Sequence, residues 1–201
     1  VLSLAMMAVF MPTMAFAAET VQKNVSNYTE FVEALGDSNV QVINVTKSFS
    51  VDKTIQIEDK IFVEEPLYIN LQNHTLNGDG NQIFSIHDSK VVLENGTLTG
   101  GFCDESRYPL DFGRGGAIYL NGDAALTLKN MTVTGNRTDV EGGAIDLNGS
   151  LTLEGKVFVA GNTAGGDAHK SDIYVHAGAH INVLSLSKGS KVGLDVTEHK
   201  D

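Results

Sequence analysis

The stretch "GGAIYLNG" at residues 115–122 returns as "GGAIDLNG" at residues 142–149, identical at seven of eight positions and offset by 27. A catalytic loop is written once, whereas a near-copy at a fixed period marks a structural unit that stacks on itself. The single difference sets Tyr119 against Asp146.

Working outward from this pair, four lines align: "NQIFSIHDSKVVLENGTLTGG", "GGAIYLNGDAALTLKNMTVTGN", "GGAIDLNGSLTLEGKVFVAGN" and "SDIYVHAGAHINVLSLSKGS". Each contains short runs in which apolar residues alternate, such as Ile118 and Leu120, Leu126 and Leu128, or Val157 and Val159, broken by Gly and Asn. Period-two alternation over a few residues predicts short strands with one buried face. Three strands per copy, with equivalent residues returning every 26 to 28 positions, predict an all-β chain coiled as a right-handed parallel β-helix of about six rungs. Ile118 is then expected on Ile145, Leu128 on Leu153 and Val133 on Val159. Looser strands are read at 40–45, 53–57, 60–65 and 66–80. An open coil needs a cap. "NYTEFVEALGD" (27–37) predicts a short N-terminal capping helix with Tyr28, Phe31, Val32 and Leu35 on one face, Asn27 at its start and Gly36 at its stop.

The opening "VLSLAMMAVFMPTMAFAAET" is uncharged through Ala18 and ends in small residues, which reads as a secretory signal peptide lacking its basic start. Its apolar run is shorter than the roughly 20 residues of a membrane span and is broken by Pro12, so no membrane span is expected in the mature chain. The expected organisation is signal peptide 1–17, N-terminal cap 18–39, β-helix 40–196 and polar tail 197–201. A formal charge of -11, with no basic cluster, excludes nucleic acid as a partner. The lone Cys103 offers no internal disulfide.

Asn95 and Asn130 occupy equivalent turn positions, as do Asn136 and Asn162, which predicts structural asparagine ladders rather than glycosylation sites, although Asn95, Asn130 and Asn136 head N-x-S/T triplets. The least repetitive stretch, "FCDESRYPLDFGR" (102–114), lengthens one rung. It places Arg107, Tyr108, Asp111 and Arg114 as candidate binding residues, Tyr108 as a stacking ring and the arginines as carboxylate ligands. Tyr119 and Asp146 join them as outward residues on adjacent rungs, where Asp146→Ala is expected to alter stability by well under about 1 kcal/mol. "NGDGNQ" (77–82) lacks the glycine and glutamate of a calcium loop, and His176 with His180 lacks a helix to bring the pair onto one face, so no metal and no cofactor are expected.

Through "GGAIYL", "GGAIDL", "INLQNHTLNG" and "SDIYVHAGAHINVLSLSKGSKVGLDV" the chain resembles the pectin-lyase-like superfamily of right-handed β-helices. It is most similar to repetitive, signal-bearing bacterial surface proteins with adhesin-like roles. The resemblance implies a secreted or cell-surface module that serves as an adhesin or scaffold and meets polysaccharide or host glycoprotein. The alternative it carries is a lyase or glycoside hydrolase acting on uronate polymers. The lyase element R-x-P-x-x-R is not matched, since Arg107 and Pro109 are followed by Arg114 two residues late, and no catalytic residue is assigned.

Overall fold

The computed structural model describes residues 20–58, 65–104, 114–165 and 169–195. The segment 1–17 that reads as a signal peptide, the run 60–64 of the strand expected at 60–65 and the tail 197–201 lie outside them.

The chain is a parallel β-helix. One long sheet runs, in spatial order, through Val21–Val25, Val40–Val45, Leu67–Asn70, Lys90–Thr99, Ala125–Val133, Ser150–Gly155 and His180–Leu186, every neighbour parallel. A second sheet of six parallel strands is made by Ile55–Glu58, Phe84–His87, Ile118–Asn121, Ile145–Leu147, Ile173–Val175 and Leu194–Asp195, one per rung. A third, small sheet joins Phe102–Cys103, Arg137–Thr138 and Thr163–Ala164, with His169–Lys170 antiparallel at its edge.

The registers follow from the repeat. Ile118 pairs with Ile145, Leu128 with Leu153 and Val133 with Val159. Inward residues stack like upon like, so Ile55, Phe84, Ile118, Ile145 and Ile173 form one buried column and Ile57, Ile86, Leu120 and Leu147 another. Burying such columns supplies about 25 cal/mol per Å² of apolar surface removed from water, in a chain with no disulfide.

The doubled glycine that opens each copy has a backbone cause. Gly115 and Gly142 sit at φ +71 and +70, where other residues are strained. Gly116 and Gly143 are packed so closely that a methyl group would strike backbone oxygens, those of Gly143 and Arg137 in one case and of Thr163 and Ser171 in the other. The turn leaves room only for "GG", and the sequence repeats it.

Helix Tyr28–Gly36 covers the first rung. Asn27 caps it, its side chain accepting from the Glu30 amide at 3.0 Å, while the Glu30 carboxylate accepts from the Ser26 amide at 2.7 Å, so that two orphan donors are satisfied reciprocally. Phe31, Ala34 and Leu35 are its buried residues and Phe31 packs on Phe49 and Phe84. Val32 departs from the expected face: it is exposed, and Ala34 takes the place one turn beyond Phe31.

Candidate functional site

Strand alternation decides which side chains the second sheet shows to the outside. With Ile118, Ile145 and Ile173 directed inward, the next residue in each strand faces out, and the register lines up Ser85, Tyr119, Asp146 and Tyr174 across four rungs. His87 follows two residues after Ser85, and its ring Nε2 lies 2.9 Å from Ser85 Oγ and edge-on to the Tyr119 ring. His176 follows Tyr174 in the same way; its amide donates to the Leu147 carbonyl at 3.0 Å, which fixes its height on the sheet. Arg114 enters from the turn before Gly115. Gln82 holds that turn by donating to the carbonyls of Arg114 at 2.8 Å and Gly115 at 2.7 Å.

Arg114, Asp146, Tyr174 and His176 form one cluster. His176 Nε2 lies 2.8 Å from Asp146 Oδ1 and 3.1 Å from an Arg114 Nη, while Arg114 Nε is 3.8 Å from Asp146 Oδ2. The His176 ring stands perpendicular to Tyr174, and the Arg114 guanidinium lies over the same tyrosine at 5.7 Å. One imidazole nitrogen cannot satisfy both neighbours with one proton. Carrying hydrogen it donates to Asp146 and faces an arginine donor; bare, it accepts from Arg114, and Asp146 must bring its own proton. Burial pushes the Asp146 carboxyl up to about 6, against the opposing pull of His176 and Arg114 and with Glu141 adding to the rise.

A carboxyl that holds its proton more tightly folded than unfolded contributes its full stability below about pH 4 and loses it as pH rises through 6. Asp146→Asn should therefore gain on the parent protein between pH 4 and 6, by up to about 3 kcal/mol for a fully buried carboxyl that rises from 3.8 to about 6. Urea melts at pH 4, 5, 6 and 7 read this directly; parallel stability curves for the two proteins would refute it.

These contacts correct one expectation. Tyr119 and Asp146 do share the outer face in register, but neither is solvated: Asp146 is 0% exposed and Tyr119 is buried. The strand's own pattern shows only that a residue leaves the core; here Arg114 and His176, from other rungs, close over Asp146, so its removal is not a surface change. Arg114 belongs to this cluster, whereas Arg107, Tyr108 and Asp111 lie outside the described residues. His176 was missed as a site residue because its partner is Asp146, 30 positions earlier, and not the nearby His180; the aligned repeat carries the signal, since it sets Tyr174 under Asp146.

The asparagines make two separate ladders. In one, Asn95 donates to Asn70 and Asn130 to Asn95, each at 3.3 Å, and the Lys156 amide donates to Asn130 at 3.0 Å. Asn95 and Asn130 take positive φ, as the bend in their strands requires. In the other, buried ladder, Gly101 donates to Asn136 at 2.9 Å, Asn136 to Asn162 at 2.9 Å and Asn162 to the Asp172 carboxylate at 2.8 Å. Both ladders tie rung to rung.

Among the described residues no group of three or more His, Cys, Asp or Glu side chains is placed to hold a metal, and no helix is long and apolar enough to cross a membrane. No curated protein and no solved structure matches the chain significantly. Residues 22–170, well over half of the chain, match the family described as "Putative pectate lyase-like adhesive domain". The coiled parallel sheets and that match agree, and the chain belongs to this pectate lyase-like adhesive domain family.

Proposed function

We propose that the chain is an adhesive module exported to the cell surface or medium, and that the outer face of its second sheet is the contact surface for polysaccharide or host glycoprotein. The observation that carries this reading is the row of His87, Tyr174, His176 and Arg114, all partly exposed, on a sheet of paired parallel strands within an adhesive-domain family. Aromatic faces stack on the apolar side of sugar rings, while imidazole and guanidinium donate to hydroxyl and carboxylate oxygens. Asp146 and Ser85, both buried, act behind this row as positioning residues. Adhesion requires many weak contacts held in fixed geometry, which a stack of hydrogen-bonded rungs provides without reorganisation.

Binding of the purified chain to immobilised polysaccharides and glycoproteins tests it. Tyr174→Ala should weaken binding about tenfold, the equivalent of about 1.4 kcal/mol, with an unchanged melting temperature. Arg137→Ala, on the third sheet, should leave binding intact. Equal binding by Tyr174→Ala and the parent would remove this face from the account. Release of reducing or unsaturated ends from a uronate polymer, abolished by Arg114→Ala, would replace adhesion by catalysis.

A further inference from the structure

Glycine after asparagine leaves the backbone nitrogen unshielded by a Cβ of its own residue, so that nitrogen can reach the side-chain carboxamide before it. The chain holds four such pairs, at 77–78, 95–96, 121–122 and 148–149. Three are held away from that reaction. The Asn77 oxygen accepts from the Asp79 amide at 3.1 Å, and the Gly78 amide is committed to the Thr99 carbonyl at 2.8 Å. The Asn95 carboxamide is held at both ends by its ladder, donating to Asn70 and accepting from Asn130. Asn148 reaches across to the neighbouring rung, its Nδ2 donating to Asn121 Oδ1 at 3.0 Å.

Asn121 is folded the other way. The Gly122 amide donates to Asn121's own Oδ1 at 2.9 Å, so the nitrogen already lies against the group it would attack. The same oxygen takes the Asn148 donor, and two donors on one carbonyl oxygen draw charge off its carbon. Gly122 is exposed at φ +65, and a Cβ there would strike the Asp88 carboxylate. The packing that demands glycine thus keeps the nitrogen open.

We propose that Asn121 is a self-modification site, at which the chain turns its own asparagine into aspartate and isoaspartate, with Asn148 as the accelerating donor. The Gly122 nitrogen gives its proton to solvent base and bonds to Asn121 Cγ; the bond from Cγ to Nδ2 breaks, and Nδ2 takes up a proton and leaves as ammonia. A cyclic imide remains. Water then opens either of its carbonyls, one way to aspartate and the other to isoaspartate, so that water enters, ammonia leaves and nothing is oxidised or reduced. The charge that builds on Oδ1 during the attack is met by the Asn148 amide. The product carboxylate stands in register with His87 and close to Asp88, which already accepts from the Asp123 amide at 2.9 Å. On the reading of this sheet as a contact face, the change adds negative charge at its edge; the modification itself does not rest on that reading.

Peptide mapping by mass spectrometry, on the folded chain held in weakly alkaline buffer, follows the amide-to-acid conversion of all four asparagines in one sample. Asn121 is expected to convert first, about tenfold ahead of the other three, with isoaspartate among its products. In concentrated urea, where the rungs are lost, the four rates should draw together. Asn148→Ala, folded by far-UV dichroism, should slow Asn121 about fivefold, the worth of one exposed hydrogen bond. Conversion that is even across the four pairs in the folded protein, or fastest at another of them, overturns the proposal, as does an unslowed Asn121 in Asn148→Ala. Should that variant fail to fold, the ranking in the parent protein decides alone.

Discussion

Ile145→Asp is expected to unfold the middle of the solenoid. Ile145 is fully buried and stacked in register between Ile118 and Ile173. The column around it is apolar on both sides, so an introduced carboxylate would find no donor and would either stay charged at a prohibitive desolvation cost or bind a proton and remain unsatisfied. With the loss of the isoleucine's packing added, the penalty is about 4 kcal/mol or more, comparable to the entire stability of many domains. Because each rung contacts its neighbours alone, the damage should spread along the axis as loss of adjacent rungs. Circular dichroism and denaturant melts measure it: the expected result is loss of most β signal or a large fall in the midpoint, and a variant within about 1 kcal/mol of the parent would place Ile145 outside the core.

The second large effect belongs to Asn162. Its carboxamide oxygen accepts from the Asn136 backbone amide at 3.0 Å and from the Asn136 side chain at 2.9 Å; its nitrogen donates to the Val133 carbonyl at 3.0 Å and to Asp172 at 2.8 Å. Asn162 and Asn136 are nearly inaccessible to water, so alanine leaves polar groups buried without partners and opens a small cavity. Asn162→Ala should cost about 3 kcal/mol by urea denaturation. Asn130→Gly is the contrast: Asn130 is exposed at φ 53, the next rung carries Gly155 in the matching place, and the change should cost less than about 1 kcal/mol. Equal losses in the two variants would mean that the buried ladder adds nothing beyond the exposed one.

The rungs were legible because two independent periods coincide in this sequence: apolar alternation within a strand, and the recurrence of "GGAI" from one strand to the next. The asparagine positions were legible from the same alignment, since a turn that needs positive φ repeats its residue preference in each copy, as Asn95, Asn130 and Gly155 do. The cluster at Asp146 was not. Alternation tells which side of a sheet a residue faces; it is silent on what lies against that side. Asp146 is covered by Arg114, 32 positions before it, and by His176, 30 positions after it, brought together by coiling. Val32 failed for a smaller reason of the same kind, because five apolar residues in a nine-residue helix, Ala34 among them, do not specify which three meet the core. In each case the missing information lay in contacts between rungs, where single-strand patterns have no reach.

That coiling is also the central claim, and spacing along the axis tests it most directly. Thr127, Thr152 and Asn182 stand in one register column on three successive strands of the long sheet. In a Cys103→Ala background, nitroxide pairs at Thr127→Cys/Thr152→Cys and at Thr127→Cys/Asn182→Cys should report backbone separations of one and two rung heights, about 4.8 and 9.6 Å, with the dipolar coupling falling accordingly. Coupling that is weak for the first pair, or that does not fall from the first to the second, would contradict the stacked parallel rungs on which the proposed contact face and the ladders both depend.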